Sequence, residues 1–138
     1  MTYRPIGARI ISYVAAGCFI VVAAVITFAL PAEVRESVNA AQLVTLLLFF
    51  LAGLAVLHGI GRTRIRTDDA GLHIVNGFRH HDLEWAEVIS IELGRGAPWA
   101  VVDTSAGESV SLMAIQQADG TRARAAVRRI RAEVAEHS

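Results

Sequence analysis

Two uncharged stretches constrain this chain more than anything else in it. Ile10 to Leu30 carries no titratable side chain but Tyr13 and Cys18, and Ala40 to Ile60 carries only His58. Each is about 21 residues, roughly 31 Å as α-helix, enough to cross a hydrocarbon core of ~30 Å. The pattern predicts a transmembrane hairpin over residues 1–61, with helices at about 10–30 and 40–60, and a small polar domain over residues 62–138. The high apolar content, 54%, comes mainly from these two stretches.

The first stretch has one competing reading. Arg4 and Arg9 would suit the basic n-region of a signal peptide. The apolar run exceeds the ~7–15 residues of a signal h-region, however, and no small-residue cleavage pattern precedes Pro31. A second stretch follows at once, so an uncleaved hairpin is expected. The link between the stretches carries Glu33, Arg35 and Glu36, whereas Arg62, Arg64 and Arg66 follow the second directly. Under the positive-inside rule this asymmetry predicts a plasma (inner) membrane protein with both termini cytoplasmic. The same three arginines are candidates for contact with anionic headgroups, worth about 1 kcal/mol each near a charged surface. Ala8, Ser12 and Ala16 recur every four residues and would let another helix approach closely, the chain's own second helix first and a dimer or membrane partner next.

Formal charge is zero, with all 13 basic residues arginine, so nothing in the total points to nucleic acid. The single cysteine, Cys18, lies in the first apolar stretch, so one chain can build neither a disulfide nor a thiolate metal site.

Beyond Arg62 the apolar period falls from helical to two. Strands are predicted at Arg64–Thr67, Leu72–Val75, Phe78–Glu84, Val88–Leu93, Trp99–Asp103 and Glu108–Met113, with a corner at Trp85–Glu87. Asn76-Gly77 predicts a two-residue type I′ hairpin turn. That register pairs Val75 with Phe78 and His73 with His80. A last helix, about Arg122 to Glu136 with Thr121 as N-cap, places Ala123, Val127, Ile130 and Val134 on one core-facing stripe. Arg124, Arg128 and Arg131 form a basic stripe, and Arg129 and Glu133 an i, i+4 pair. A strand meander closed by one amphipathic helix is an α+β or small barrel-like domain.

Two spans, then R-x-R-I-R-T-x-x-x-G-L, a hairpin, L-E-W-A-E-V-I-S-I-E, a Trp-led strand, S-L-M-A-I-Q and a helical tail resemble the bacterial PH-like domain proteins of actinobacteria, the low-molecular-weight protein antigen 6 family. The resemblance covers about Arg62 to Glu136. It implies a bent antiparallel β-barrel or sheet of about seven strands capped by a C-terminal helix, one strand more than the six counted here. Eukaryotic PH domains that hold phosphoinositides use basic residues around the first strand loop. Here that loop is Asp68-Asp69-Ala70-Gly71, whose two acids would repel a polyphosphate.

His73, His80, His81 and Asp82 form the one cluster with a metal-ligand inventory. An exposed His pair on a sheet needs no metal, and no cofactor or metal is expected. Neither a nucleophile–base order nor a phosphate loop is present, and His58 near a membrane interface suits a neutral side chain at headgroup level. The reading is a non-catalytic, membrane-anchored adaptor or accessory subunit. Its expected partners are the bilayer and an integral membrane protein or complex, with a homodimer as a further option. Val75 and Phe78 at the hairpin tip, with Arg124, Arg128 and Arg131, are the candidate partner surface. The alternative is a lipid-surface sensor without phosphoinositide specificity.

Overall fold

The computed structural model describes residues 1–137; residue 138, the end of the expected polar domain, lies outside them. Thr2–Tyr3 forms strand β1, and helix α1 follows at Ile6–Ala29, ending at Pro31, which cannot continue a helix. A short helix α2, Ala32–Ser37, occupies the link, and α3 runs Ala40–Arg62. Asn39 caps α3 with a reciprocal box: the Gln42 N–H donates to Asn39 Oδ1 at 2.9 Å and the Asn39 N–H to Gln42 Oε1 at 3.1 Å. Both α1 and α3 are long and apolar enough to span a membrane, and few of their residues are buried within the chain.

The two helices pack on each other through aromatic rings set over glycines. Phe19 lies 3.0 Å from where a Cβ on Gly53 would sit, and Tyr13 lies 2.7 Å from the same point on Gly61. Phe19 also stacks on Phe50, with centroids 5.0 Å apart. On α1, Ser12 is buried and Ala8 and Ala16 are half-buried.

The rest of the chain is two antiparallel sheets and a helix. Strands β2 (Arg64–Asp68), β3 (Gly71–Asn76) and β4 (Arg79–Glu84) join β1 in the order β1-β2-β3-β4. Strands β5 (Val88–Glu92), β6 (Trp99–Thr104) and β7 (Ser109–Gln116) form the second sheet. A 3₁₀ turn at Trp85–Glu87 is the corner between them, and the Trp85 indole N–H fixes it by donating to the Asp68 carbonyl at 2.9 Å. Helix α4, Thr121–His137, closes the domain. Its Ala123, Ala126, Val127 and Ile130 are buried in one core with Ile65, Leu72, Ile74, Ile91, Val102, Leu112 and Ile115, and Val134 packs on its edge.

The α+β, PH-like architecture agrees with the sequence pattern, and the seventh strand is β1. Two residues at the N-terminus, ahead of Arg4 and Arg9, pair with β2, Thr2 opposite Arg66 and Tyr3 opposite Ile65. Two residues carry no readable period, and their strand exists only because β2 offers an open edge. The sheet is therefore assembled from the chain before and after the α1–α3 hairpin.

Candidate membrane-proximal interface

The hairpin between β3 and β4 is the first element that positions the interface, and its register departs from the expected one. Asn76 pairs with Arg79, Val75 with His80 and His73 with Asp82, so the turn residues are Gly77 and Phe78. Gly77 has φ +63° and Phe78 does not have positive φ, the pattern of a type II′ turn rather than I′. The cause lies in the other sheet. Asn76 Nδ2 donates to the Ser111 carbonyl at 2.6 Å, and Asn76 Oδ1 accepts from the Met113 N–H at 3.3 Å. With both ends of its amide committed to β7, Asn76 stays in the strand and the turn falls one residue later.

That shift brings the turn against the end of α3. The Gly77 N–H donates to Thr63 Oγ1 at 3.2 Å, and that hydroxyl donates to the Gly59 carbonyl at 3.3 Å. Phe78 lies over Gly59, with the Arg62 guanidinium 5.5 Å from its ring centroid, within cation–π range. Of the two hairpin residues expected on an outer face, Val75 is thereby corrected. Phe78 is 57% exposed but already docked on α3. Val75 is only 7% exposed, because β3 is an interior strand packed against the end of α3, with Arg64 and His80 as its register neighbours.

Arg64 and Arg66 project from the outer face of β2, while Arg62, at the last turn of α3, is turned to Phe78. Arg4 of the segment after β1 lines the same cleft as Arg64 and Arg66, together with His73 and His80. Arg66 reaches Asp68 at 3.7 Å.

His73 sits between two carboxylates, not opposite His80. Its Nδ1 lies 2.6 Å from Asp82 and its Nε2 3.2 Å from Asp68. The hydrogen bond to Asp82 and then that to Asp68 raise the imidazole pKa, because only the protonated ring donates to both. The same contact with His73 is the main cause that lowers the Asp68 pKa. Among the described residues no group of three or more His, Cys, Asp or Glu is arranged to hold a metal ion. His58 is exposed on α3, its ring edge-on to Tyr13 at 6.4 Å.

On α4, Arg124 and Arg128 are exposed. Arg131 is not free to join them as a docking stripe, since its Nε donates to the Ile91 carbonyl of β5 at 2.7 Å. No ion pair joins Arg129 and Glu133 among the described residues; Glu133 and Arg129 instead act electrostatically on Tyr3 of β1. Burial and, after it, Glu133 raise the Tyr3 pKa. Sequence reasoning missed this meeting of β1 with α4, and no local signal marks it.

Strands β2 to β7, the corner and most of the closing helix fall within a match of residues 62–133, more than half of the chain, to the family model described as Bacterial PH domain. The chain belongs to the bacterial PH domain family. The chain is also similar to mycobacterial proteins named only as uncharacterized. It is 36% identical over 87 residues to uncharacterized protein Rv1417 of Mycobacterium tuberculosis (strain H37Rv), covering 63% of this chain and 55% of the relative. Uncharacterized protein Mb1452 of Mycobacterium bovis matches to the same extent. The chain thus spans about half the length of the curated relatives it matches. No solved structure matches it.

Proposed function

We propose that this chain is a non-catalytic, membrane-anchored PH-like accessory subunit that binds or stabilises an integral membrane partner. The observation that carries this reading is the double attachment of the sheet. Residues before α1 pair with β2, and the β3–β4 turn is bonded to the end of α3. A loose tether would suffice to keep a domain near a bilayer. Two attachments fix its orientation as well, while the apolar flanks of α1 and α3 stay open to neighbours in the membrane.

The β1–β2 pairing also requires the segments before α1 and after α3 to lie on one side of the hairpin. Arg4, Arg9, Arg62, Arg64 and Arg66 are on that side, which supports cytoplasmic termini. A reporter fused at the C-terminus is expected to be active only in its cytoplasmic form. Activity of an exported reporter there would remove this topology. After mild detergent extraction the tagged chain is expected to retain one membrane protein in fixed ratio, and recovery as a bare protein would remove the accessory role.

A second reading, contact with a charged lipid surface, is favoured by the shared outer face of Arg4, Arg64 and Arg66. It predicts salt-sensitive binding of the domain to anionic liposomes in the absence of any protein partner.

A further inference from the structure

Next to the Arg64–Arg66 cleft, and sharing Thr2 and Arg4 with it, lies a larger groove of about 1200 Å³. Its walls are the first turns of α1 on one side and α4 with the end of β7 on the other, and β1 crosses its end. Small-molecule clefts are typically ~300–1,000 Å³, so this one has room for an elongated amphiphile. Arg9 from α1 and Arg122 and Arg129 from α4 converge on it, with Arg4 on the ridge shared by both clefts. Asp119 is the one acid on its lining. Among the described residues none of these arginines is in an ion pair, and none donates a side-chain hydrogen bond to protein. Four arginines against one acid leave the lining cationic.

The groove is also continuous with the lipid-facing surface. Ile10 and Val14 line it from α1 and are both well exposed along the face that would meet hydrocarbon. With α1 spanning a bilayer, the groove below the arginines opens onto acyl chains rather than water. An apolar floor leading out to the bilayer and a cationic rim at the helix end match one chemistry: a lipid with a negatively charged headgroup.

We propose that this groove binds one anionic phospholipid from the leaflet next to the PH domain. Its phosphate lies among Arg9, Arg122 and Arg129, and an acyl chain runs along Ile10 and Val14. The bound lipid joins α1 to α4 across the groove that both line. The site is distinct from Arg62, Arg64 and Arg66; it rests on the membrane anchoring proposed above but needs no protein partner, so it stands or falls separately from the accessory role.

The test uses the full chain in neutral detergent, incubated with dioleoyl phosphatidylglycerol or dioleoyl phosphatidylcholine and weighed intact by native mass spectrometry. The expected result is one retained phosphatidylglycerol and no comparable phosphatidylcholine. Arg9→Gln/Arg122→Gln/Arg129→Gln should weaken retention about a hundredfold, each surface arginine contributing roughly fivefold. Ala125→Trp, which fills the groove without changing charge, should also abolish it and guards against misfolding of the triple variant. Arg64→Gln/Arg66→Gln should retain the lipid. Equal retention by the triple variant or by Ala125→Trp, equal retention of phosphatidylcholine, displacement by inorganic phosphate, or equal loss in Arg64→Gln/Arg66→Gln would each overturn the proposal.

Discussion

The ring of Phe78 lies across Gly59: a Cβ placed on that glycine would stand 2.8 Å from Cε2 of the phenyl ring. A residue in the last turns of a membrane-type helix is thus left without a side chain so that the tip of a β-hairpin can seat on it. The ring is the far end of a flexible, largely exposed side chain, so it can swing away when crowded. Gly59→Ala is therefore expected to undock the hairpin tip while changing global stability by less than about 1 kcal/mol. Hydrogen exchange of the full chain in detergent would show it as faster exchange confined to peptides spanning Thr63 and Gly77, whose bond of 3.2 Å holds the docked state. Unchanged protection there would mean that the contact does not hold the domain.

Helix α4 offers three substitutions within four residues with separate expected outcomes. Ile130 is fully buried, so Ile130→Ala should cost ~2–5 kcal/mol through lost transfer energy and a cavity. Arg131→Ala removes the bond to the Ile91 carbonyl and should cost about 1–2 kcal/mol. Arg128→Ala, at an exposed site, should change stability by less than about 0.5 kcal/mol. Thermal melts of the full chain would rank them, and a larger loss at Arg128 than at Ile130 would reverse the assigned face.

The His73 cluster predicts a pH dependence with a definite sign. His73 has its folded pKa above the ordinary 6.5, so its stabilising contribution is complete below pH 6.5 and is lost as pH rises through the raised value. Asp68 has its folded pKa below 3.8, so its contribution is complete above pH 3.8 and is lost as pH falls through the lowered value. Both contributions are complete only between pH 3.8 and 6.5. His73→Gln should therefore lower the melting temperature at pH 5.5 more than at pH 8.5. An equal or larger effect at pH 8.5 would show that the imidazole is not held as the cation.

Strand β1 can be trapped chemically. Thr2 and Arg66 are directly opposed across an antiparallel pair, where Cβ atoms stand ~4.5–5.5 Å apart and a disulfide is within reach. In a Cys18→Ala background, Thr2→Cys/Arg66→Cys should form an intramolecular disulfide under mild oxidation, and Thr2→Cys/Arg95→Cys should not. Absence of the first cross-link would detach the N-terminal segment from the sheet.

Local pattern by itself determined much of this protein. An apolar run of about 21 residues has few alternatives to a membrane-type helix, and α3 starts at its Asn39 box because capping chemistry acts within one turn. Strand alternation from Arg64 onward and the apolar stripe through Ile130 of α4 were legible for the same reason, since each period reflects one face turned inward. What tertiary structure alone decided were events between distant residues. Asn76 spends its amide on β7, which moved the turn by one residue, buried Val75 and set His73 against Asp82 instead of His80. Thr2 and Tyr3 became a strand because β2 had a free edge. Arg9, Arg122 and Arg129 are far apart along the chain and meet only where α1 and α4 converge around that strand. No window of sequence contains both halves of such a contact, so its energy leaves no local period to read.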